Sequence, residues 1–330
     1  MENRKKLKTA LQKHINERVE GIGVTQKKDG LFFSKKAGES NREFVRRVFC
    51  GDLPEQHFND LYDQAIGGSG NEDCNMDNAI SSALFPFLFF SRVSEKNPIT
   101  IDGTEYTHVC FEFKNRTLSG KSDFAPSNID VVLASIDYKD ILFIESKFGE
   151  YFYSLTSAAT EYKGLSIQYA QKGSTVPIIA GILSGNRLHL KKNDNELVFK
   201  DDNEPHYFEG IKQMLTHISG ISNYVEGEGY FYSKNYAHLY DGIKKQFEEA
   251  HKATVALLEI VFDFSERFGF GKEAYNGYDT LHDSLLDAVD KHELGFDVKR
   301  LFTYQKIVEE NPGYLSSLPK IVRDVYKLDP

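Results

Sequence analysis

Tryptophan is absent from this 330-residue sequence, and cysteine and methionine occur three times each. Cys50, Cys74 and Cys110 are widely spaced and odd in number, with no CxxC and no Cys/His zinc pattern around them. That argues against a disulfide framework and against structural zinc. Glycine and proline, at 25 and 9, are too few for a collagenous or low-complexity chain. No stretch approaches the length of uncharged apolar residues a bilayer needs; the most apolar, 83–90, is far too short. The N-terminus, MENRKKLKTALQKH, is basic but has no apolar h-region, so it does not read as a secretory signal. The expectation is a soluble cytoplasmic protein without a membrane partner. Several catalytic signatures are missing as well: HExxH, a His triplet and GxSxG. The run Gly67-Gly68-Ser69-Gly70-Asn71 is not followed by GK[ST], which excludes a P-loop and leaves a flexible joint or a loop near a site. Gly269-Phe270-Gly271-Lys272 has neither a preceding strand nor a following Ser or Thr, so it is no nucleotide loop either.

What is present is an ordinary globular balance, 40% hydrophobic and 27% charged, on a chain long enough for one large core or two modest ones. The net charge of −9 is unevenly divided. Residues 1–48 hold 13 Lys and Arg against 6 Asp and Glu, a local +7, which leaves −16 on the rest. A basic leader on an acidic body suggests an anionic partner met by one surface. The same lysines also fit the outer face of a helix, since Leu7, Leu11, Ile15 and Val19 recur every four residues as one buried stripe.

Three zones emerge: 1–70, basic and helical; 71–204, the core; and 205–330, mainly helical. In the first, Asn41-Arg42-Glu43 and Leu53-Pro54-Glu55 start helices. In the second, a helix over 77–90 precedes three hairpins. Their turns are Asp102-Gly103, Asp137-Tyr138-Lys139-Asp140 and Asn193-Asp194-Asn195. A helix over 156–172 and a buried apolar strand over 175–183 follow the second hairpin. In the third, helical spacing runs over 208–225, 237–268, 279–292, 297–310 and 315–326. The aromatic stretch 224–240 packs the third zone onto the core or stacks on unpaired bases. Tyr151-Phe152-Tyr153 would border a substrate groove.

The second hairpin carries the chemistry. Strand residues alternate faces, so Glu145 and Lys147 share a face with Ile141 and Phe143, while Leu142, Ile144, Ser146 and Phe148 line the other. An acid and a base thus end an otherwise apolar strand, and burying them is costly unless something pairs or coordinates them. The return through the turn lays Asp130 close to the level of 145–147. Two carboxylates and an ammonium then meet at the open end of one hairpin, which suits metal-assisted phosphodiester hydrolysis. Carboxylates and a main-chain carbonyl make a hard oxygen site for Mg²⁺, or Mn²⁺ in its place. Lys147 would orient or deprotonate water or stabilise transition-state charge.

Asp130, then 14 residues, then Glu145-x-Lys147 resembles the PD-(D/E)xK nuclease superfamily, over roughly residues 72–185. The resemblance implies an α/β fold: a restriction-endonuclease-like core with a mixed central β-sheet flanked by helices. Here that core would carry N-terminal helices and a C-terminal α-helical region. It implies Asp130 and Glu145 as metal ligands, the Ser146 carbonyl as a third, and Lys147 as the catalytic lysine. It further implies an acid on the first core helix, best matched by Asp77 with Glu72 behind it, and a glutamine on the helix after the motif, matched by Gln168. The chain departs from the pattern at Pro126-Ser127-Asn128-Ile129-Asp130, where the proline is displaced.

A lone E-x-K means little, because roughly one Glu in eight has a basic residue two places on by chance. Glu161-Tyr162-Lys163 falls in an expected helix, where residues two apart do not share a face. Glu112-Phe113-Lys114 is the serious rival. Its upstream acid, Asp102, lies in a tight turn, so Glu145 and Lys147 are preferred and Glu112 is left to line the site from a neighbouring strand. The plain alternative for Glu145 and Lys147 is an ion pair on a solvated sheet face. His217 reads as a helix-surface or core histidine. The expected function is a Mg²⁺-dependent endonuclease acting on DNA, in a restriction-like or defence role. Lys27, Lys28, Lys35 and Lys36 would contact phosphates, and a homodimer would serve where two strands are cut. The alternative is a non-catalytic nucleic-acid-binding or assembly module on the same fold.

Overall fold

The computed structural model describes residues 2–27, 30–67, 72–115, 127–149, 188–191, 196–199, 208–227, 243–291 and 293–329. Gln168, the helix expected over 156–172 and the strand expected over 175–183 lie outside the described residues.

Helix α1 (Glu2–Arg18) buries Leu7, Leu11, Ile15 and Val19 and exposes Lys5, Lys6, Lys13 and Arg18, as the four-residue stripe requires. The first zone is not all helical. Strands β1 (Val24–Lys27) and β2 (Gly30–Phe33) form an antiparallel hairpin whose Val24, Leu31 and Phe33 enter the core. Helix α2 (Asn41–Phe49) starts at a capping box between Ser40 and Glu43, and α3 (Glu55–Ala65) starts directly after Pro54.

The helix expected over 77–90 is shorter. Ser81 Oγ accepts from the Ala83 and Leu84 N–H groups, so helix α4 (Leu84–Phe90) begins only there and Asp77 stays outside it. All seven residues of α4 are buried, with Pro86 in the first turn, where its missing N–H costs nothing. Strands β3 (Ile99–Ile101) and β4 (Thr104–Tyr106) meet at Asp102-Gly103, whose φ values of 51 and 78 suit a two-residue hairpin turn.

Strands β5 (His108–Asn115), β6 (Ser127–Ala134) and β7 (Asp140–Lys147) form an antiparallel meander. Strands β8 (Leu188–Lys191) and β9 (Glu196–Phe199) form a separate hairpin. Next come α5 (Phe208–Val225), α6 (Ile243–Glu249), β10 (Thr254–Val261), α7 (Phe264–Phe268) and α8 (Lys272–Val289). Short strands β11 (Asp297–Val298) and β12 (Phe302–Thr303) lead into α9 (Tyr304–Glu310), α10 (Pro312–Ser317) and α11 (Lys320–Tyr326).

The main sheet runs β11-β10-β7-β6-β5, with β12 also on β10. Strand β10 lies parallel to β7, in register from Thr254↔Asp140 to Val261↔Lys147. This corrects the expectation of helix over 237–268 where that span includes β10. Thr-Val-Ala-Leu-Leu-Glu-Ile-Val is apolar but for Thr254 and Glu259, a run that periodicity cannot tell from a buried helix, and the two core clusters cover its two faces. The chain is therefore mixed α/β, its mixed sheet flanked by helices.

One core cluster runs from Leu7 to Leu328 and joins the N-terminal helices to the last ones. There Phe85 of α4 packs against Phe148, Phe262, Tyr304 and Tyr326. The second cluster lies on the other sheet face, where Met214, Leu215, Ile218, Ile221 and Tyr224 of α5 and Leu285 and Ala288 of α8 cover Phe113, Ile141, Phe143 and Leu257. Cys50 and Cys110 are buried and Cys74 is exposed. Among the described residues no helix is long and apolar enough to cross a membrane.

Candidate functional site

The sheet opens at one level. Pairing between β6 and β7 ends at Val131↔Ile144, one step before Asp130 and Glu145 would face each other. The Ser146 N–H donates instead to Asp130 Oδ2 at 2.7 Å, so a carboxylate takes the place of a ladder carbonyl. Strand β5 breaks at the same level. Its pairing skips from Phe111↔Val131 to Phe113↔Ile129, and Glu112 between them has φ 50. That is left-handed backbone, uncommon for a residue with a Cβ. The alternation of faces shifts here as well. Phe111 and Val131 pack into the first cluster, and Phe113 and Ile129 into the second.

Glu145 and Lys147 share the face of Ile141 and Phe143, as strand alternation predicts. They are 1% and 5% exposed, which rules out the solvated ion pair. Buried charges need partners, and α5 supplies two of them, four residues apart. Lys147 Nζ donates to Glu145 Oε1 and, at 2.7 Å, to Gln213 Oε1. His217 Nε2 faces Glu145 Oε2 at 2.7 Å, and its Nδ1 meets the Ser127 hydroxyl. A single chain of contacts, buried up to Lys147, thus runs Ser127–His217–Glu145–Lys147–Gln213. Burial alone would push the Glu145 carboxyl up; Lys147 and His217 more than offset it and bring it down to about 2. The helix fits this closely only because residue 220 is glycine. A Cβ there would stand 2.9 Å from Asn115 Cβ and 3.1 Å from Ser127 Cβ.

Asp130, Glu145 and Lys147 are thus brought together. Ser146 gives its N–H to Asp130, and its hydroxyl turns to the opposite face, 2.7 Å from the Tyr304 hydroxyl. Asp77 has other partners: its carboxylate is 2.8 Å from Lys35 Nζ, and its carbonyl accepts from the Phe33 N–H. Lys35 is therefore an ion-paired residue, and Lys27 belongs to strand β1. Tyr224 is buried in the second cluster. Sequence reasoning missed Gln213 and the role of His217. The available signal was two polar residues at i and i+4 beside the apolar Met214, Leu215, Ile218 and Ile221 of α5. It also missed Glu259 of β10, which pairs in register with Glu145. Glu259 accepts from the Tyr278 hydroxyl and lies 3.7 Å from His282 Nε2.

Comparison with protein-family models, with curated proteins and with solved structures finds no match. The chemistry of the site rests on the chain's own residues. Burial, followed by the negative charges of Glu145 and Glu112, raises the Asp130 carboxyl well above the ordinary carboxylate range, against the pull of Lys147 and the Ser146 N–H. Asp130 thus feels the charges of Glu145, Glu112 and Lys147. A divalent cation would favour its ionised form, and carboxylate oxygens are the donors that Mg²⁺ and Mn²⁺ prefer. Among the described residues no three His, Cys, Asp or Glu side chains converge on one point. A bound ion would therefore complete its shell with main-chain, water or substrate oxygens.

Proposed function

We propose that this protein is a metal-dependent nuclease that hydrolyses phosphodiester bonds, acting on DNA with Mg²⁺ or Mn²⁺, on a restriction-endonuclease-like core. The observation that carries the reading is the meeting of Asp130, Glu145 and Lys147 where β6 and β7 part. The sheet order supports it. An antiparallel meander of three strands is followed by a fourth strand parallel to the third, with α5 in the crossover between them. Gln213 stands beside the lysine, while Gln168, the glutamine that the superfamily resemblance implied, lies outside the described residues.

Asp130 and Glu145 would hold the cation, which when bound would polarise the phosphoryl oxygen and acidify a water. Lys147, released from Glu145 by that charge, would stabilise the developing negative charge of the transition state, steadied by Gln213. Glu112 adds negative potential beside Asp130. The test is incubation with plasmid DNA, single-stranded DNA and RNA in Mg²⁺, Mn²⁺ or EDTA. Metal-dependent cleavage of DNA that Glu145→Ala abolishes supports the reading. Cleavage unchanged in Glu145→Ala moves the site elsewhere.

One observation favours the second reading, a non-catalytic binding or assembly module. Glu145 and Lys147 are buried and neutralise each other, as a structural ion pair does. Nucleic-acid binding without cleavage or Mn²⁺ uptake is its signature.

A further inference from the structure

His217 is 3% exposed, and both of its ring nitrogens are engaged. An ionised carboxylate only accepts, so the proton between His217 Nε2 and Glu145 Oε2 belongs to the imidazole. Nδ1 on the far side meets Ser127, the first residue of β6, three places before Asp130. The ring is therefore held at both ends, by the strand that carries one acid and against the acid of the next strand. Glu145 in turn has its two oxygens divided, Oε2 to His217 and Oε1 to Lys147.

We propose that His217 is a positioning residue that pins Glu145 by Oε2, so that Oε1 alone is exchanged between Lys147 and a divalent cation. This rests on the nuclease reading. The terminal torsion of a glutamate is soft and roughly two-fold, so nothing intrinsic stops the carboxylate from turning. Without the imidazole, Glu145 offers both oxygens to Lys147, and an incoming ion competes with two contacts to the ammonium instead of one. With it, the ion displaces one contact and meets an oxygen already aimed. His217 itself touches neither ion nor substrate. Its effect on metal uptake follows the behaviour of groups that orient metal ligands from behind.

The experiment compares wild type with His217→Leu, His217→Gln and Ser127→Ala. Mn²⁺ affinity is read from the electron paramagnetic resonance signal of free Mn²⁺, alongside DNA cleavage and melting temperature. His217→Leu weakens Mn²⁺ binding about 10–100-fold and lowers kcat in step, with KM for DNA within about threefold. His217→Gln, whose amide places an N–H donor near the Nε2 position, restores most of the affinity. Ser127→Ala, which frees the ring to turn, falls between them. Wild-type affinity in a folded His217→Leu overturns the proposal and leaves the nuclease reading intact. Equal impairment in His217→Leu and His217→Gln at matched melting temperatures also overturns it, since that marks packing alone. If His217→Leu does not fold, the order Ser127→Ala weaker than His217→Gln sustains the proposal, and the reverse order defeats it. If wild type neither binds Mn²⁺ nor cleaves, the nuclease reading falls and takes this proposal with it.

Discussion

Two glutamates stand side by side in register on parallel strands, and each faces a histidine from a helix on the same sheet face. The pairs are built differently. His217 bonds to Glu145 on one side and Ser127 on the other. His282 is fully buried, neither ring nitrogen is hydrogen-bonded among the described residues, and its Nε2 is 3.7 Å from Glu259 Oε2, beyond hydrogen-bond reach. Burial accordingly lowers His282 to about 4, so it is neutral at pH 7. At Glu145 the added ammonium of Lys147 brings the carboxyl down to about 2. A buried acid beside a buried histidine is therefore not by itself a mark of a site. What sets the β7 position apart is a charged, fully partnered network at a level where the neighbouring strands break.

The comparison is sharpest in catalysis. Glu145→Ala lowers metal-dependent cleavage by about 10³-fold or more, equivalent to about 4 kcal/mol of transition-state stabilisation, if the ion is held there. Glu259→Ala leaves turnover within about tenfold by the same measure. Equal losses in the plasmid assay would erase the distinction.

Stability separates the pairs next. Lys147→Met leaves Glu145 buried without its ammonium and costs about 3–5 kcal/mol in urea denaturation. The double variant Lys147→Met with Glu145→Met costs less than that single change, because no uncompensated charge remains. A double variant no better than the single would show that the ion pair is not the source of the loss.

Acid affects the two pairs in different windows. The His282 imidazole takes up its proton near 6.5 in the unfolded chain but only at about 4 in the folded one. Its contribution is complete above pH 6.5 and lost as pH falls to 4, about 3 kcal/mol in all. Glu145, depressed from 4.5 to about 2, keeps its contribution above pH 4.5 and loses it only below. Urea midpoints across pH 7 to 4 should therefore fall in wild type and flatten in His282→Leu. An unchanged slope in that variant would contradict the assignment.

The smallest effect is expected at the helix that serves the first pair. Gly220→Ala drives a methyl group against Asn115 and Ser127 and costs about 1–3 kcal/mol. Mn²⁺ affinity should drop with it, since His217 sits one turn away on α5. Unchanged stability would show that α5 yields at this point.

The β6–β7 hairpin and the meeting of Asp130, Glu145 and Lys147 were legible because a period of two places Glu145 and Lys147 on the face of Ile141 and Phe143. The stripe of α1, the starts of α2 and α3 and the span of α5 were legible from capping and periodicity. The fourth strand of the sheet was not. A largely apolar octet covered on both faces has no alternation to betray it, so β10 read as helix, and Glu259 with it. Asp77 was placed on a helix that Ser81 starts four residues after it. Gln213 and His217 come from more than sixty residues beyond the motif. Only the crossover to β10 brings them over Lys147 and Glu145, and a pattern read along the chain has no means of closing that distance.

The most direct test is a Mn²⁺ soak of crystals of the wild-type protein, read by anomalous scattering. The account predicts a peak where β6 and β7 part, about 2.0–2.3 Å from an oxygen of both Asp130 and Glu145. Its height should fall in His217→Leu. A peak between Glu259 and His282 instead, or no peak near Asp130 and Glu145, would contradict it.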